Sequence, residues 1–158
     1  MKRIISLLFL ITVLSSCIQD TKKPISENDL AESEAKPLEI SDVPWSAELD
    51  SSSQKIKLIR SKDFEIKDLD VANVTEVLVR KYPEIKLIWI KQHLDTAFVR
   101  IPNATFLTQN SGSMGSDIFM AEATYSYTEI PGIKFVHFDF TEGEHASPGT
   151  YQRSDFNF

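Results

Sequence analysis

The stretch "IKLIWIKQHLDTAFVRIP", Ile85 to Pro102, decides the fold. Ile85 to Lys91 is apolar at most positions, and Thr96 to Ile101 alternates as a strand does when one face is covered. The intervening "QHLD" has the length of a tight turn centred on His93 to Asp95, so the two runs form an antiparallel hairpin. The flanking segments supply helices to cover it. "DLDVANVTEVLVRKY" sets Val71, Val74 and Leu78 on one helical face, offers Asp68 or Asp70 as N-cap, and meets Pro83, which forbids continuation beyond Tyr82. "MGSDIFMAEATYSYTEI" repeats Met114, Ile118, Ala121 and Tyr125 at helical spacing and stops at Pro131-Gly132. "KIKLIR", Lys55 to Arg60, is an earlier strand. "IKFVHFDF" is the last one, with Val136, Phe138 and Phe140 on one face and Phe135 and His137 on the other. The order β-αββαβ predicts a single small α+β domain with two helices packed on one face of a mostly antiparallel sheet.

Upstream of this domain the chain reads as an address and a tether. "MKRIISLLFLITVLSSC" has two cations, an apolar run too short to span a bilayer, and small residues before Cys17, which is the layout of a secretory signal. Its end, Leu14-Ser15-Ser16-Cys17, resembles the bacterial lipobox, whose cysteine carries the lipid after cleavage. The alternative is an ordinary secretory signal with an incidental cysteine. Lipidation at Cys17 implies a membrane-anchored protein of the cell envelope, in the inner or outer membrane. It also consumes the only thiol, which excludes disulfides, thiolate metal sites and cysteine nucleophiles. From Ile18 to about Ser53 the sequence is rich in Ser, Glu, Asp, Lys and Pro, too polar to offset its ordering entropy. The expected organisation is therefore a leader at 1–16, a lipidated cysteine and flexible acidic tether at 17–53, and the domain with a C-terminal extension at 54–158. Trp45 is read equally as docked on the domain edge or stranded in the tether.

The chain has 158 residues and 42% apolar content, enough for a modest core. Lys2 and Arg3 leave with the leader, so 17 cations become 15 against 23 acids and the net charge moves from −6 to −8. No window clusters enough Lys and Arg to neutralise a phosphate backbone, which argues against a nucleic-acid partner.

Two stretches draw attention as sites. "NSGSMGSD", Asn110 to Asp117, places Gly112, Ser113 and Gly115 at the start of the second helix, where backbone N–H groups can cradle an anion. It lacks the lysine of a P-loop, does not match GxGxxG, and Asp117 repels an anion, so the favoured reading is a helix start capped by Ser111, Ser113 or Ser116. "DFTEGEHASPGTYQR" gathers Asp139, Glu142, Glu144, His145 and Arg153 around a glycine turn. Adjacent Glu144 and His145 do not share a helical face as the ligands of HExxH do, so neither metal nor cofactor is expected and no residue is assigned a catalytic role. The aromatics Phe119, Tyr125, Tyr127, Phe135 and Phe138 are read as core.

Residues 55 to 143 resemble the GerMN domain of sporulation and germination lipoproteins. Ala97, Val99 and Ile101 match its "a.V.l" strand, and Gly112 and Ser113 its Gly-Ser before a helix. Thr128 and Glu129 match the end of that helix, Val136 the following strand, and Gly143 the terminal glycine. The phrases "GSMG" and "PGTY" resemble those of small lipoproteins of the Bacteroidetes kind. The tail "EHASPGTYQRSDF" has no counterpart in the family pattern. The resemblance implies a cell-envelope binding or assembly module contacting protein or peptidoglycan, without catalysis. The alternative is a small envelope hydrolase or metal-dependent enzyme built on Glu142, Glu144 and His145.

Overall fold

A computed structural model describes residues 42–158 except 54, 63, 64 and 157. The leader, Cys17 and the tether up to residue 41 lie outside the described residues. The elements run β1 (Trp45–Asp50), β2 (Lys55–Arg60), α1 (Val71–Lys81), β3 (Ile88–His93), β4 (Thr96–Arg100), α2 (Gly112–Tyr127), β5 (Phe135–Asp139) and β6 (Gly149–Tyr151). The α+β class is as expected.

Four strands form one sheet in the order β3-β4-β5-β6, and β1 with β2 form a separate antiparallel pair. Strands β4 and β5 run parallel and the other two neighbouring pairs antiparallel, because α2 carries the chain back before β5 begins. The register sets Ala97 beside Val136 and Val99 beside Phe138, and all four are fully buried. This is the covered face; α1 contacts β3 and α2 contacts β5. On the opposite face Arg100 pairs with Asp139 at 2.7 Å and Phe98 lies against His137. Val136, Phe138 and Phe140 are buried as their alternation predicts.

Helix α1 begins where its cap predicts. The Asp70 side chain accepts from the Asn73 N–H at 2.8 Å, a contact that contributes about 1 kcal/mol. Val74, Val77 and Leu78 form its buried stripe. Strand β3 starts three residues later than the apolar run suggests, since Ile85 and Leu87 enter the core from the connecting loop.

Two expectations are corrected. The folded part includes residues well ahead of 54: Val43 is buried and β1 pairs with β2 along its whole length. Trp45 is docked, donating from Nε1 to Glu129 at 3.0 Å and meeting Tyr125 edge-on. The predicted stripe on α2 is also wrong, since Met114 is half exposed while Phe119, Met120, Ala121, Glu122, Ala123 and Thr124 are consecutively buried. The helix is covered by β1 and α1 as well as by β5, so no single face is apolar.

Two acids, Glu122 of α2 and Glu129 in the turn just after it, hold the β1–β2 hairpin. Buried Glu122 accepts the Ala47 N–H at 2.5 Å, Lys81 at 2.9 Å and the Tyr82 hydroxyl at 2.6 Å. Glu129 accepts Arg60 at 2.8 Å and Arg153 at 2.7 Å in addition to Trp45. Arg153, expected beside the acidic loop, instead lies over the Trp45 and Tyr125 rings.

Candidate functional site

The helix leading into α2 is wider than an α-helix. Residues Phe106–Asn110 form a π-helical turn, closed by the Ser111 N–H donating to the Phe106 carbonyl at 2.9 Å. Such turns often accompany functional sites. Gly112 then takes φ +68°, a left-handed conformation open to glycine at little cost, and α2 continues from it.

The start of α2 lies where "NSGSMGSD" predicts, but the capping does not follow. Ser111 has helical backbone angles and its side chain makes no cap. Its hydroxyl donates to the Leu107 carbonyl at 2.8 Å, and buried Ser116 donates to the same carbonyl. The reason is the π turn: with helix on both sides of residue 111, the unsatisfied group within reach is a carbonyl of the preceding turn. Hydroxyls serve it as donors.

The loop after β5 closes onto this junction. Gly143 donates to the Ala146 carbonyl at 3.2 Å, and the His145 N–H donates to the Thr108 carbonyl at 3.1 Å. A Cβ on Gly143 would approach the Thr108 Cβ at 2.5 Å, so glycine alone permits the seating. The His145 ring reaches Ser113, with Nδ1 at 3.2 Å from Oγ. Glu142 accepts the Ser147 hydroxyl at 2.7 Å, and the Tyr151 hydroxyl donates to the Ser147 carbonyl at 2.6 Å. Gly112, Ser113, Gly115, Glu142, Glu144 and His145, chosen as two separate stretches, therefore belong to one locality. Asp139 and Arg153 do not, being engaged with Arg100 and Glu129.

A cleft opens on each side of the seated loop. One, about 360 Å³, is lined by Asn103, Thr105, Thr108, Gln109, Thr141 and Glu142 among others. The other, about 230 Å³, includes Asp117, Glu144, His145, Tyr151 and Phe156. Burial raises the Asp117 carboxyl above its ordinary value. Burial also raises the Tyr151 phenol, assisted by the charges of Asp155, Asp117 and Glu142. These acids give the locality a negative field, which disfavours an anion at the start of α2. Among the described residues no group of three His, Cys, Asp or Glu side chains is arranged to hold a metal ion.

Asn103, Thr105, Gln109 and Thr141 were not singled out by sequence. For the first three the signal was present as a run of amides and hydroxyls in "PNATFLTQN", but the π turn within it has neither the strand nor the α-helical period that would have put them on one side. No protein-family model, curated protein or solved structure matches the chain.

Proposed function

We propose that this chain is a lipid-anchored module of the cell envelope that binds a protein or peptidoglycan partner and carries out no reaction itself. The observation that carries the reading is the pair of polar clefts around a loop seated by Gly143 and His145. The loop is pinned to the π turn by the main-chain bond from His145 to Thr108 and closed on itself by the one from Gly143 to Ala146, so its side chains are held for contact. The larger cleft offers uncharged amides and hydroxyls with a single acid, groups suited to a peptide or an amidated sugar. The leader, the cysteine that follows it and the GerMN resemblance point to the envelope.

Sedimentation with purified peptidoglycan, alongside pull-down from solubilised membranes, tests the binding reading. Thr105→Ala with Gln109→Ala should abolish retention while the melting temperature holds, since both side chains are exposed. Retention unchanged by both would reject the larger cleft. The anchor is tested separately: Cys17→Ala should leave the detergent phase on Triton partitioning.

One observation favours the hydrolase alternative, the Ser113 hydroxyl in hydrogen-bond reach of the His145 imidazole. On that reading a fluorophosphonate probe labels the chain and Ser113→Ala removes the label. On the reading preferred here no label appears.

A further inference from the structure

The β3–β4 turn is unusual. His93 pairs with Thr96, leaving Leu94 and Asp95 as a two-residue loop. Such loops need a residue at positive φ and normally use glycine or asparagine. Here Leu94 takes φ +53° and stands 81% exposed, so an apolar side chain is held out at backbone cost. The surroundings enforce the conformation. The Asp95 carbonyl accepts the N–H groups of Lys134 and Phe135 at 2.8 and 3.1 Å, and Gln92 Nε2 donates to the Leu94 carbonyl at 3.0 Å.

The apolar character continues down the edge of the sheet, where Ile88 and Ile90 are 44% and 43% exposed. Charge changes sign there as well. Counted through the tip, Lys86, Lys91 and Lys134 stand against the single acid Asp95, a local excess of cations on a protein of net charge −6. Lys134 is held beside the tip, 3.4 Å from the Asp95 carboxylate and largely exposed. Arrival of a further strand is opposed at this edge, because the register breaks between Trp89 and Lys91 and a lysine occupies the edge. An apolar tip backed by exposed lysines fits an interface where the leucine meets hydrocarbon and the ammonium groups reach anionic headgroups.

We infer that the β3–β4 hairpin docks on an anionic lipid surface with Leu94 inserted and Lys91 and Lys134 at headgroup level. This contact is independent of acylation at Cys17 and of the clefts proposed above for partner binding.

The test uses the full chain carrying Cys17→Ala, so that Leu94→Cys introduces the sole thiol, labelled with bimane. Ser52→Cys in the exposed β1–β2 turn is the control, and His93→Cys is the second tip position should Leu94→Cys not fold. With vesicles of phosphatidylcholine and phosphatidylglycerol, the tip label should shift to the blue and be quenched by brominated acyl chains, while the label at 52 does neither. Lys91→Glu with Lys134→Glu should reduce the quenching, as should added salt. Equal quenching at 94 and 52 overturns the inference, because the leader alone would then account for the binding. Equal quenching on pure phosphatidylcholine overturns its anionic part. A concentration-dependent blue shift without vesicles identifies a second copy of the chain as the occupant and overturns it too.

Discussion

Gly143 and Thr108 touch so closely that the loop after β5 and the π turn before α2 behave as one unit. A Cβ at 143 would come within 2.5 Å of the Thr108 Cβ and 2.7 Å of Gln109 Nε2. The Gln109 amide can swing away, but Cβ of Thr108 sits on a buried residue bonded to the Ala104 carbonyl and cannot. Gly143→Ala should therefore displace the loop and destabilise the domain by about 1–3 kcal/mol, the usual cost of overpacking. Denaturant melts read the cost. Loss of the His145 to Thr108 bond, read as faster exchange of the His145 amide, reports whether the loop has moved.

Glu122 ties three elements to one carboxylate. It is 1% exposed and accepts from Ala47 of β1, Lys81 at the end of α1, and Tyr82. The Tyr82 phenol is raised well above its ordinary value by burial and then by this neighbouring charge, so it stays a donor. Glu122→Ala leaves a main-chain N–H and a phenol without their acceptor. Lys81 is a third exposed and regains water, so the cost should lie near the lower end for broken buried pairs, about 3 kcal/mol. Glu122→Gln, which keeps an acceptor, should cost about half as much. Equal costs would mean that the carboxylate charge, which both variants remove, is what Glu122 supplies, and a negligible cost for Glu122→Gln would assign its role to packing volume.

Glu129 gives the fold an acid limit. Burial raises its carboxyl, but hydrogen bonds from Arg153, Trp45 and Arg60 outweigh this and hold it at about 2 against an ordinary 4.5. A carboxylate depressed in the folded state stabilises above its unfolded pKa, and the contribution is lost as pH falls through the folded one. The window therefore runs from 4.5 down to about 2. Since Arg60 and Arg153 are about one-third exposed, solvent screening reduces the contribution to roughly 1–2 kcal/mol. Wild type should exceed Glu129→Gln in stability at neutral pH, and the difference should close across that window. A constant difference would assign the effect to hydrogen-bond geometry that does not depend on titration of the carboxyl.

The parts of this architecture that could be read from sequence are those with one covered face. Strand β5 alternates because its inner residues meet helices and its outer ones meet solvent, and α1 shows a clean stripe for the same reason. Helix α2 is hidden on several sides and buries Ser116, Glu122, Thr124 and Ser126, so its stripe pointed the wrong way. Strand β1, "WSAELD", looks like tether because its supports, Glu122 and Glu129, lie far along the chain. No local window contains that information. The site was legible as two pieces; that Ser113 meets His145 follows only from how the π turn and Gly143 bring the pieces together.

The serines at the start of α2 separate two accounts of that junction. If Ser113 capped the helix, Ser113→Ala would cost about 0.5–2 kcal/mol. In the structure its hydroxyl faces His145 instead, from an exposed position, so Ser113→Ala should leave stability within a few tenths of a kcal/mol. Ser116 behaves oppositely. It is fully buried and donates to the Leu107 carbonyl, with its oxygen 2.9 Å from the Ser111 hydroxyl oxygen. Ser116→Ala removes one of the two donors serving that carbonyl, and Ser111 remains to serve it at 2.8 Å, so the expected loss is about 1 kcal/mol. Ser111→Ala with Ser116→Ala leaves the carbonyl without either hydroxyl, and the pair should cost more than the sum of the two singles. Chemical denaturation of the four chains decides between the accounts. A stability loss confined to Ser113→Ala would restore the capping role and displace the carbonyl-bonded junction described here.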